Sequence, residues 1–331
     1  MLKIVKKKKT PKSPQKARAP IDEIMKYLFS VSKETLISML NSLFNQKLNI
    51  ENTTVIQTNS EFVDETFDIT RGDLFFRLIE KLKPYNFHIE VETRPNGNMT
   101  IRVLEYDIKK ADENQRLDGK RYIKRYVLPK SIVIHIEKGR NIPDCYESEI
   151  VDIKADGSEE IIHRSVPVIK YWELTDTDLI ERELYPLLPM QVFLLRNELK
   201  KYAKSKDLTG KQEVINKIKN LTEKIITEAH KLAQERKIDD GDDDKIITAL
   251  DKLIKYLNKQ YDFDENLNQE VDTVIESVFT KLKREGGEES KIKTAEKMIL
   301  KNKPLAEIIE FSDLPEKKIR EIAKKLSKEL T

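Results

Sequence analysis

Three carboxylates, Asp73, Glu90 and Glu92, lie between positions 73 and 92 of the chain. Residues 73–79 and 87–93 are apolar, β-prone runs, and the Lys-Pro-Tyr-Asn sequence at 83–86 suits a turn between them. The sequence therefore predicts a β-hairpin. Because side chains alternate along a strand, Glu90 and Glu92 share one face, and a suitable register brings Asp73 toward them. Carboxylates that converge in this way repel one another strongly unless a cation neutralises them.

An arginine follows the predicted hairpin at a position from which it can reach the carboxylates. Asn98 is suited to capping a helix that begins at Met99. On that helix Met99, Arg102 and Tyr106 share one face, because they are three and four residues apart. We therefore expect the Arg102 side chain to point toward the acidic face of the hairpin.

Carboxylates without cysteines or clustered histidines favour a hard, oxygen-seeking cation such as Mg²⁺ or Mn²⁺. Such an ion acidifies a bound water and offsets the charge of a phosphoryl group, which hydrolysis of a phosphodiester requires. Acidic residues on an alternating strand are also typical of a solvated face, and His88 on the same face also fits a surface or hydrogen-bonded position. Periodicity alone leaves both interpretations open.

The composition limits the class of protein without fixing its function. The chain has 331 residues, and its 61 basic and 58 acidic residues nearly cancel, so net charge does not predict nucleic-acid binding. Cys145 is the single cysteine, which excludes an intramolecular disulfide and a cysteine-rich zinc site. The basic start of the chain is followed by no apolar stretch of the kind that a signal peptide or a membrane span requires. We expect a soluble, cytoplasmic protein with no membrane partner.

The pattern of the chain predicts four segments. Residues 1–20 are basic and poor in large apolar groups, which predicts a disordered arm that either attracts phosphates or only aids solubility. The pattern of residues 21–175 predicts an α/β core with a mixed sheet flanked by helices. Residues 176–286 predict a charged helical region, with breaks at 239–244 and 286–287, through which the chain could form a homo-oligomer. Residues 287–331 resemble a helix-turn-helix layout, which fits a packing or oligomerisation unit as well as a DNA-reading helix.

Within these segments, hydrophobic periodicity and turn residues predict individual elements. The predicted strands outside the hairpin are at 54–57, 61–67, 131–137, 148–154 and 159–164, and residues 166–172 extend that sheet or form its edge. The predicted helices of the second half are at 185–196, 211–236, 245–261, 271–284, 289–301, 304–311 and 315–330.

The order of these elements resembles the core of PD-(D/E)XK nucleases, with Asp73 in one strand, Glu90 in the next and Arg102 on the following helix. More narrowly, the chain resembles the Rpn family of recombination-promoting nucleases and transposases in bacteria. The resemblance spans residues 21–202, and 295–326 are similar to the small helical tail of many such proteins. The matching segments are Asp22…Lys26-Tyr27-Leu28-Phe29, Gly72-Asp73-Leu74, Phe87-His88-Ile89-Glu90-Val91-Glu92-Thr93, Met99-Thr100-Ile101-Arg102…Tyr106, Val166-Pro167-Val168 and Leu187-Leu188-Pro189…Leu195-Arg196.

The resemblance implies a restriction-endonuclease-like core followed by an α-helical C-terminal region, and a DNA endonuclease activity that depends on Mg²⁺ or Mn²⁺. Asp73 and Glu90 would be the metal ligands, and Asp22 or Glu23 the acidic residue of the first helix. Glu92 stands at the superfamily's Lys position, where the family commonly has Gln. It would act as a third ligand or as a base, or it would repel the scissile phosphate and weaken catalysis.

Basic residues that follow the hairpin are expected to hold the DNA backbone. Arg102, Lys124 and Arg125 are the principal candidates, with Lys120 and Arg121 beside them and Tyr106 in a supporting position on the Arg102 helix. Two other classes of function stay open. One is a non-catalytic nucleic-acid-binding or assembly protein that keeps the nuclease scaffold. The other is a structural helical protein whose hairpin carboxylates do not cluster.

Overall fold

Two helices precede the sheet in the computed structural model, which describes residues 19–57, 61–63, 69–71, 74–92, 98–113, 116–118 and 123–328. Side chains are described for 23–56, 74–92, 98–112, 126–288 and 291–328. Helix α1 is Ala19–Leu28 and α2 is Lys33–Phe44. Ser32 caps α2 by accepting a hydrogen bond from the Thr35 backbone N–H at 3.3 Å. Residues 1–18 of the predicted arm lie outside the described residues, whereas Ala19 and Pro20, also predicted to be in the arm, belong to α1.

Ten strands and a crossover helix make up the described part of the α/β region. The strands are β1 (Thr53–Gln57), β2 (Glu61–Val63), β3 (Ile69–Arg71), β4 (Leu74–Glu80), β5 (Lys83–Glu92), β6 (Arg116–Asp118), β7 (Ile123–Arg125), β8 (Lys130–His135), β9 (Cys145–Ile153) and β10 (Glu159–Lys170). Helix α3 (Met99–Glu113) connects β5 to the region of β8 and begins at the predicted residue.

Six of these strands form one mixed sheet in the order β1-β4-β5-β8-β10-β9. Strands β1, β4 and β5 are antiparallel neighbours, whereas β8 is parallel to both β5 and β10. Strand β9 pairs antiparallel with β10 at the edge of the sheet. The pairs β2–β3 and β6–β7 are separate two-stranded sheets. The predicted α/β class with a mixed central sheet is confirmed.

The turn of the β4–β5 hairpin lies earlier than predicted. Lys81 and Leu82 form it, both with positive φ (48° and 67°), as a type I′ hairpin turn requires. The predicted turn at 83–86 was wrong, and these residues belong to β5. Pro84 is accommodated because β8 pairs with β5 only from Phe87 onward, so its missing N–H lies outside that ladder.

Both faces of the central strands are covered. On one face, Phe87 and Ile89 of β5 join Ile132 and Ile134 of β8 in the main apolar cluster, to which α1, α2 and the later helices contribute. On the other face, Met99 and Val103 of α3 pack against Val133 and Val166. This alternation matches the period-two pattern of strand sequences, with β5 and β8 buried on both sides.

Helices dominate the chain after β10. They are a short 3₁₀ turn (Tyr171–Glu173), α4 (Asp176–Glu181), a longer 3₁₀ segment (Tyr185–Leu195), α5 (Arg196–Tyr202), α6 (Leu208–Gln234), α7 (Asp242–Tyr261), α8 (Leu267–Leu300), α9 (Leu305–Ser312) and α10 (Glu316–Lys325). The described helices confirm the helical character predicted for the second half.

Two details of the helical half differ from the prediction. Helix α8 continues through Gly286 and Gly287, where a break was predicted. Glycine lowers helix stability by only about 1 kcal/mol, so the rest of a long helix can carry it. The segment Tyr185–Leu195 is 3₁₀ rather than α, and Pro189 inside it lacks the N–H that an α-helical hydrogen bond needs.

A buried aspartate joins the helical half to the first helices. Asp242 at the start of α7 accepts hydrogen bonds from the Ser32 N–H (2.8 Å), the Ser32 hydroxyl (2.6 Å) and the Thr35 hydroxyl (2.6 Å). The main apolar cluster likewise includes residues from Ile24 to Val271.

The domain boundaries at 175 and 286 stay predictions. Among the described helices, none combines the length and apolarity that crossing a membrane would need.

Candidate active site

Strand β5 presents three polar side chains toward α3. His88, Glu90 and Glu92 lie on the face opposite Phe87 and Ile89, as the alternation predicts, but they are buried rather than solvated. Glu90 is 0% exposed and Glu92 is 8% exposed. Burial of two carboxylates on one strand face is unfavourable unless opposite charge and hydrogen bonds compensate for lost hydration.

Arg102 supplies that opposite charge. It extends from the first turns of α3 and forms ion pairs with Glu90 and with Glu92, the latter between Nη1 and Oε2 at 3.0 Å. The expectation that Arg102 looks back at the acidic residues is confirmed. The Arg102 side chain retains 18% exposure, so the ion pairs lie at the margin of the buried region. One arginine thus bridges Glu90, a predicted metal ligand, and Glu92, which stands at the superfamily's Lys position.

A second buried network continues from His88. Its Nε2 lies 3.3 Å from Glu90 Oε2, and its Nδ1 lies 2.7 Å from Asp107 Oδ1 on α3. Asp107 also accepts a hydrogen bond from the Ser131 hydroxyl at 2.6 Å and forms an ion pair with Arg164 of β10. A continuous chain of polar contacts therefore runs from Arg164 through Asp107 and His88 to Glu90.

Aromatic rings enclose His88. The Phe75 ring stacks on it at a centroid distance of 4.2 Å and an interplanar angle of 13°. Tyr106, predicted to support the site, meets the same ring edge-on at 6.1 Å and is buried. The Lys110 ammonium lies 5.3 Å from the Phe75 ring centroid. These contacts fix the imidazole between a strand and a helix, so that its two nitrogens face Asp107 and Glu90.

His135 and Tyr146 border the ion pair on the other side. The parallel register places His135 of β8 beside Glu92, and its Nε2 lies 2.9 Å from the Tyr146 hydroxyl. Burial and the positive charge of Arg102 lower the pKa of His135 to about 4, so its imidazole is neutral near pH 7. Burial and the charge of Glu92 raise the pKa of Tyr146, which keeps the phenol protonated.

The other predicted site residues are not brought to Glu90 in the described part of the chain. Glu23 is exposed on α1, which packs on the opposite face of the sheet from α3. Asp73 lies outside the described residues, as do the side chains of Asp22, Lys124 and Arg125, although 123–125 form strand β7. The roles predicted for these residues stay predictions.

Sequence reasoning missed five members of the network: Asp107, Ser131, His135, Tyr146 and Arg164. One signal was available for Asp107. Val103, Tyr106, Asp107 and Lys110 follow helical spacing, so a carboxylate occupies the stripe of α3 that faces the sheet. The others come from β8, β9 and β10, and only the strand order brings them together.

The two β5 carboxylates suit a hard cation in their chemistry. Mg²⁺ commonly binds through one or two carboxylates and keeps several waters, and Glu90 and Glu92 offer this type of oxygen donor. Within the ranges that the structure describes, however, no three His, Cys, Asp or Glu side chains are grouped so that they could hold a metal. A cation at Glu90 and Glu92 would therefore need Arg102 to give up at least one ion pair.

Comparison with known proteins adds no family assignment. No family model, curated protein or solved structure matched the chain. The arrangement of Glu90, Glu92 and Arg102 is thus the principal ground on which a function can be argued.

Proposed function

We propose that the protein is a divalent-metal-dependent DNA endonuclease of the Rpn type, with a PD-(D/E)XK core and a role linked to recombination or mobile elements. The observation that carries the proposal is the convergence of Glu90 and Glu92 of β5 with Arg102 of α3 at a partly accessible margin. Two carboxylates and a guanidinium at one place combine groups that bind a cation with a group that binds phosphate.

The sheet order supports the nuclease-like core. Strands β1, β4 and β5 are antiparallel, α3 crosses over, and β8 returns parallel to β5. The carboxylates stand on the strand that precedes the crossover helix, and Arg102 stands on the helix itself. The resemblance in sequence segments predicts this same order of elements.

Each residue has a specific task in this proposal. Glu90 and Asp73 would hold Mg²⁺ or Mn²⁺, which supplies an acidified water and offsets phosphate charge. Arg102 would exchange one carboxylate for a phosphate oxygen of the DNA, because a guanidinium binds both groups through the same pair of N–H donors. Glu92 positions Arg102. Its Oε2 accepts a hydrogen bond from Arg102 Nη1 at 3.0 Å, which holds the guanidinium in place.

Cleavage of supercoiled plasmid DNA by the purified protein with Mg²⁺ or Mn²⁺ tests the proposal. Glu90→Gln and Asp73→Ala should lose cleavage, whereas Glu92→Gln should retain it. Glu105→Gln, an exposed change on the same helix as Arg102, is the matched control. Equal cleavage by wild type, Glu90→Gln and Asp73→Ala would refute the assignment, and loss in Glu92→Gln would move Glu92 into the role of base.

A second candidate is a non-catalytic nucleic-acid-binding protein on the same scaffold, and two observations favour it. Arg102 already neutralises both carboxylates, which makes a closed ion-pair cluster. In addition, residues 291–331 contain eleven Lys or Arg against seven Asp or Glu, and Lys317 and Lys324 are exposed on the side of α10 opposite its apolar core.

Salt dependence and turnover separate the two candidates. A binding protein should retain strong, salt-sensitive DNA affinity with no cleavage in either metal. The Lys317→Gln/Lys324→Gln variant should then weaken binding to all sequences and reduce the salt slope by about two. Unchanged affinity in that variant would exclude α10 as the DNA-binding element. Formation of a homo-oligomer through the helical half stays a prediction. Light scattering of the full chain measures its molar mass and so checks the oligomeric state.

A further inference from the structure

A cavity of about 340 Å³ opens where β8 begins. Strand β10 pairs with β8 only from Val168 to Lys170, and before that it pairs with β9 instead. The two strands therefore diverge at the start of β8, and the end of α2 closes the gap from the other side. The lining residues are Leu43, Phe44, Asn45, Pro129, Lys130, Ser131, Ile132, Arg164, Ser165, Val166 and Pro167.

The cavity wall contains two cations. Lys130 is exposed at its rim, and Arg164 has a side chain only 13% exposed. One guanidinium nitrogen, Nη2, contacts Asp107 and, at 3.2 Å, the Ser131 hydroxyl. The Nε–H of Arg164 is buried and has no acceptor among the residues that the structure describes. A guanidinium has five donors, so Arg164 keeps hydrogen-bonding capacity beyond its contact with Asp107.

The rest of the wall is largely apolar. Phe44 and Leu43 come from α2, and Ile132 and Val166 come from the two diverging strands. The volume falls within the range of small-ligand sites, which combine mostly apolar walls with a few placed polar groups. The site therefore combines two cationic groups with apolar side chains against which an aromatic ring can lie.

We propose that this cavity binds a small phosphomonoester with an aromatic group, of the class of the nucleoside monophosphates. The phosphate would be held by Arg164 and Lys130, since guanidinium and ammonium groups are the usual phosphate partners. The base would lie against Phe44 and Ile132. The cavity lies at the Arg164 end of the polar network, two residues removed from Glu90, and the proposal does not depend on nuclease activity.

Isothermal titration calorimetry of the full chain with thymidine 5′-monophosphate tests it, with thymidine and inorganic phosphate as separate ligands. The monophosphate should bind more tightly than either part. Lys130→Gln should reduce the affinity about tenfold, because it removes one charged phosphate contact. Lys200→Gln, an exposed lysine on α5 outside the cavity, should leave it unchanged. Thymidine binding as tightly as its monophosphate, or no effect of Lys130→Gln, would overturn the proposal.

Two further variants keep the test decisive. Arg164→Gln should abolish binding but also removes the arginine that pairs with buried Asp107, so a folding defect would confuse its result. Asn45→Asp instead adds a negative charge to the cavity wall and leaves Arg164 in place. Aspartate tolerates the left-handed conformation of this position (φ 48°). Because the added charge repels a phosphate anywhere in the cavity, it should weaken the monophosphate about tenfold and thymidine little, whereas equal effects on both would contradict a bound phosphate.

The source of the phosphate is separable in the same assay. A duplex oligonucleotide with a 5′-phosphate that displaces the monophosphate, when the unphosphorylated duplex does not, would identify a strand end as the ligand. Failure of both duplexes to displace it would identify the free nucleotide.

Discussion

Arg102 on α3 and Glu90 on β5 form an ion pair beneath the crossover helix, and Glu92 shares the same guanidinium. The pair joins the helix to the sheet at the point where the carboxylates would otherwise repel each other. Arg102 therefore serves folding as well as any ligand that the site binds, and its two roles can be measured apart.

Removal of the Arg102 guanidinium should destabilise the protein. Arg102→Ala leaves Glu90, 0% exposed, without its charged partner, and we expect the free energy of unfolding to fall by about 3 to 5 kcal/mol. Arg102→Met combined with Glu90→Gln should recover part of that loss, because no buried charge remains at Glu90. Urea denaturation measures both. Arg140→Ala at an exposed position is the control, and an equal effect of the two alanine variants would contradict the prediction.

Arg102 should also compete with a metal ion for the carboxylates. Arg102→Gln should raise the affinity for Mn²⁺ about tenfold, since the cation no longer displaces a guanidinium, whereas Glu90→Gln should lower it by a similar factor. Calorimetric titration with MnCl₂ measures these affinities directly and does not require the protein to be active. Chelation with EDTA should also stop plasmid cleavage. Mn²⁺ affinities that do not change in either variant would place the metal elsewhere.

His135 should make the protein less stable in mild acid. The pKa of its imidazole is about 4 in the folded state, because of burial first and Arg102 second, and near 6.5 in the unfolded chain. Between these values the unfolded state binds the extra proton, so the free energy of unfolding falls as the pH decreases from about 6.5 to 4, by about 3 kcal/mol for this group.

The substitution His135→Gln isolates that contribution. The variant lacks the titrating group and should lose about 3 kcal/mol less than wild type over the same pH interval. His163→Gln, at an exposed position of β10, should follow the wild-type profile. Parallel stability profiles of wild type and His135→Gln would contradict the predicted pKa of His135.

Asp242 should be the main polar link between the helical half and α2. Asp242→Ala removes the acceptor of three hydrogen bonds from Ser32 and Thr35, and we expect a loss of about 3 kcal/mol, since hydrogen bonds to a buried charge are stronger than neutral ones. Asp244→Ala, exposed in the same first turn, should change the stability by less than about 0.5 kcal/mol. Chemical denaturation compares the two.

Two glycines of α8 offer a stabilising change. A Cβ at Gly286 or Gly287 would have no atom within 4 Å among the described residues, and both positions are helical. Gly286→Ala and Gly287→Ala should each raise the stability by about 0.5 to 1 kcal/mol. Gly157→Ala should instead destabilise, because Gly157 has φ +81° in a hairpin turn. Thermal unfolding followed by circular dichroism distinguishes the two outcomes.

Local patterns predicted most elements because they depend on side chains close in sequence. Alternation predicted the faces of β5 and β8, and Asn98 marked the residue before α3. Prediction failed where tertiary structure overrides local preference. The Lys81-Leu82 turn carries no Gly, Asn or Asp signal, yet the β4–β5 pairing holds both residues at positive φ.

The sequence by itself determined that His88, Glu90 and Glu92 share one strand face. It also determined that Arg102 shares a helix face with Met99 and Tyr106, since both statements follow from strand and helix periodicity. Only the tertiary structure decided that this face is buried, that Arg102 neutralises both carboxylates, and that Asp107, Ser131 and Arg164 extend the network. These contacts join α3, β5, β8 and β10, whose order in the sheet depends on long-range pairing that no local pattern encodes.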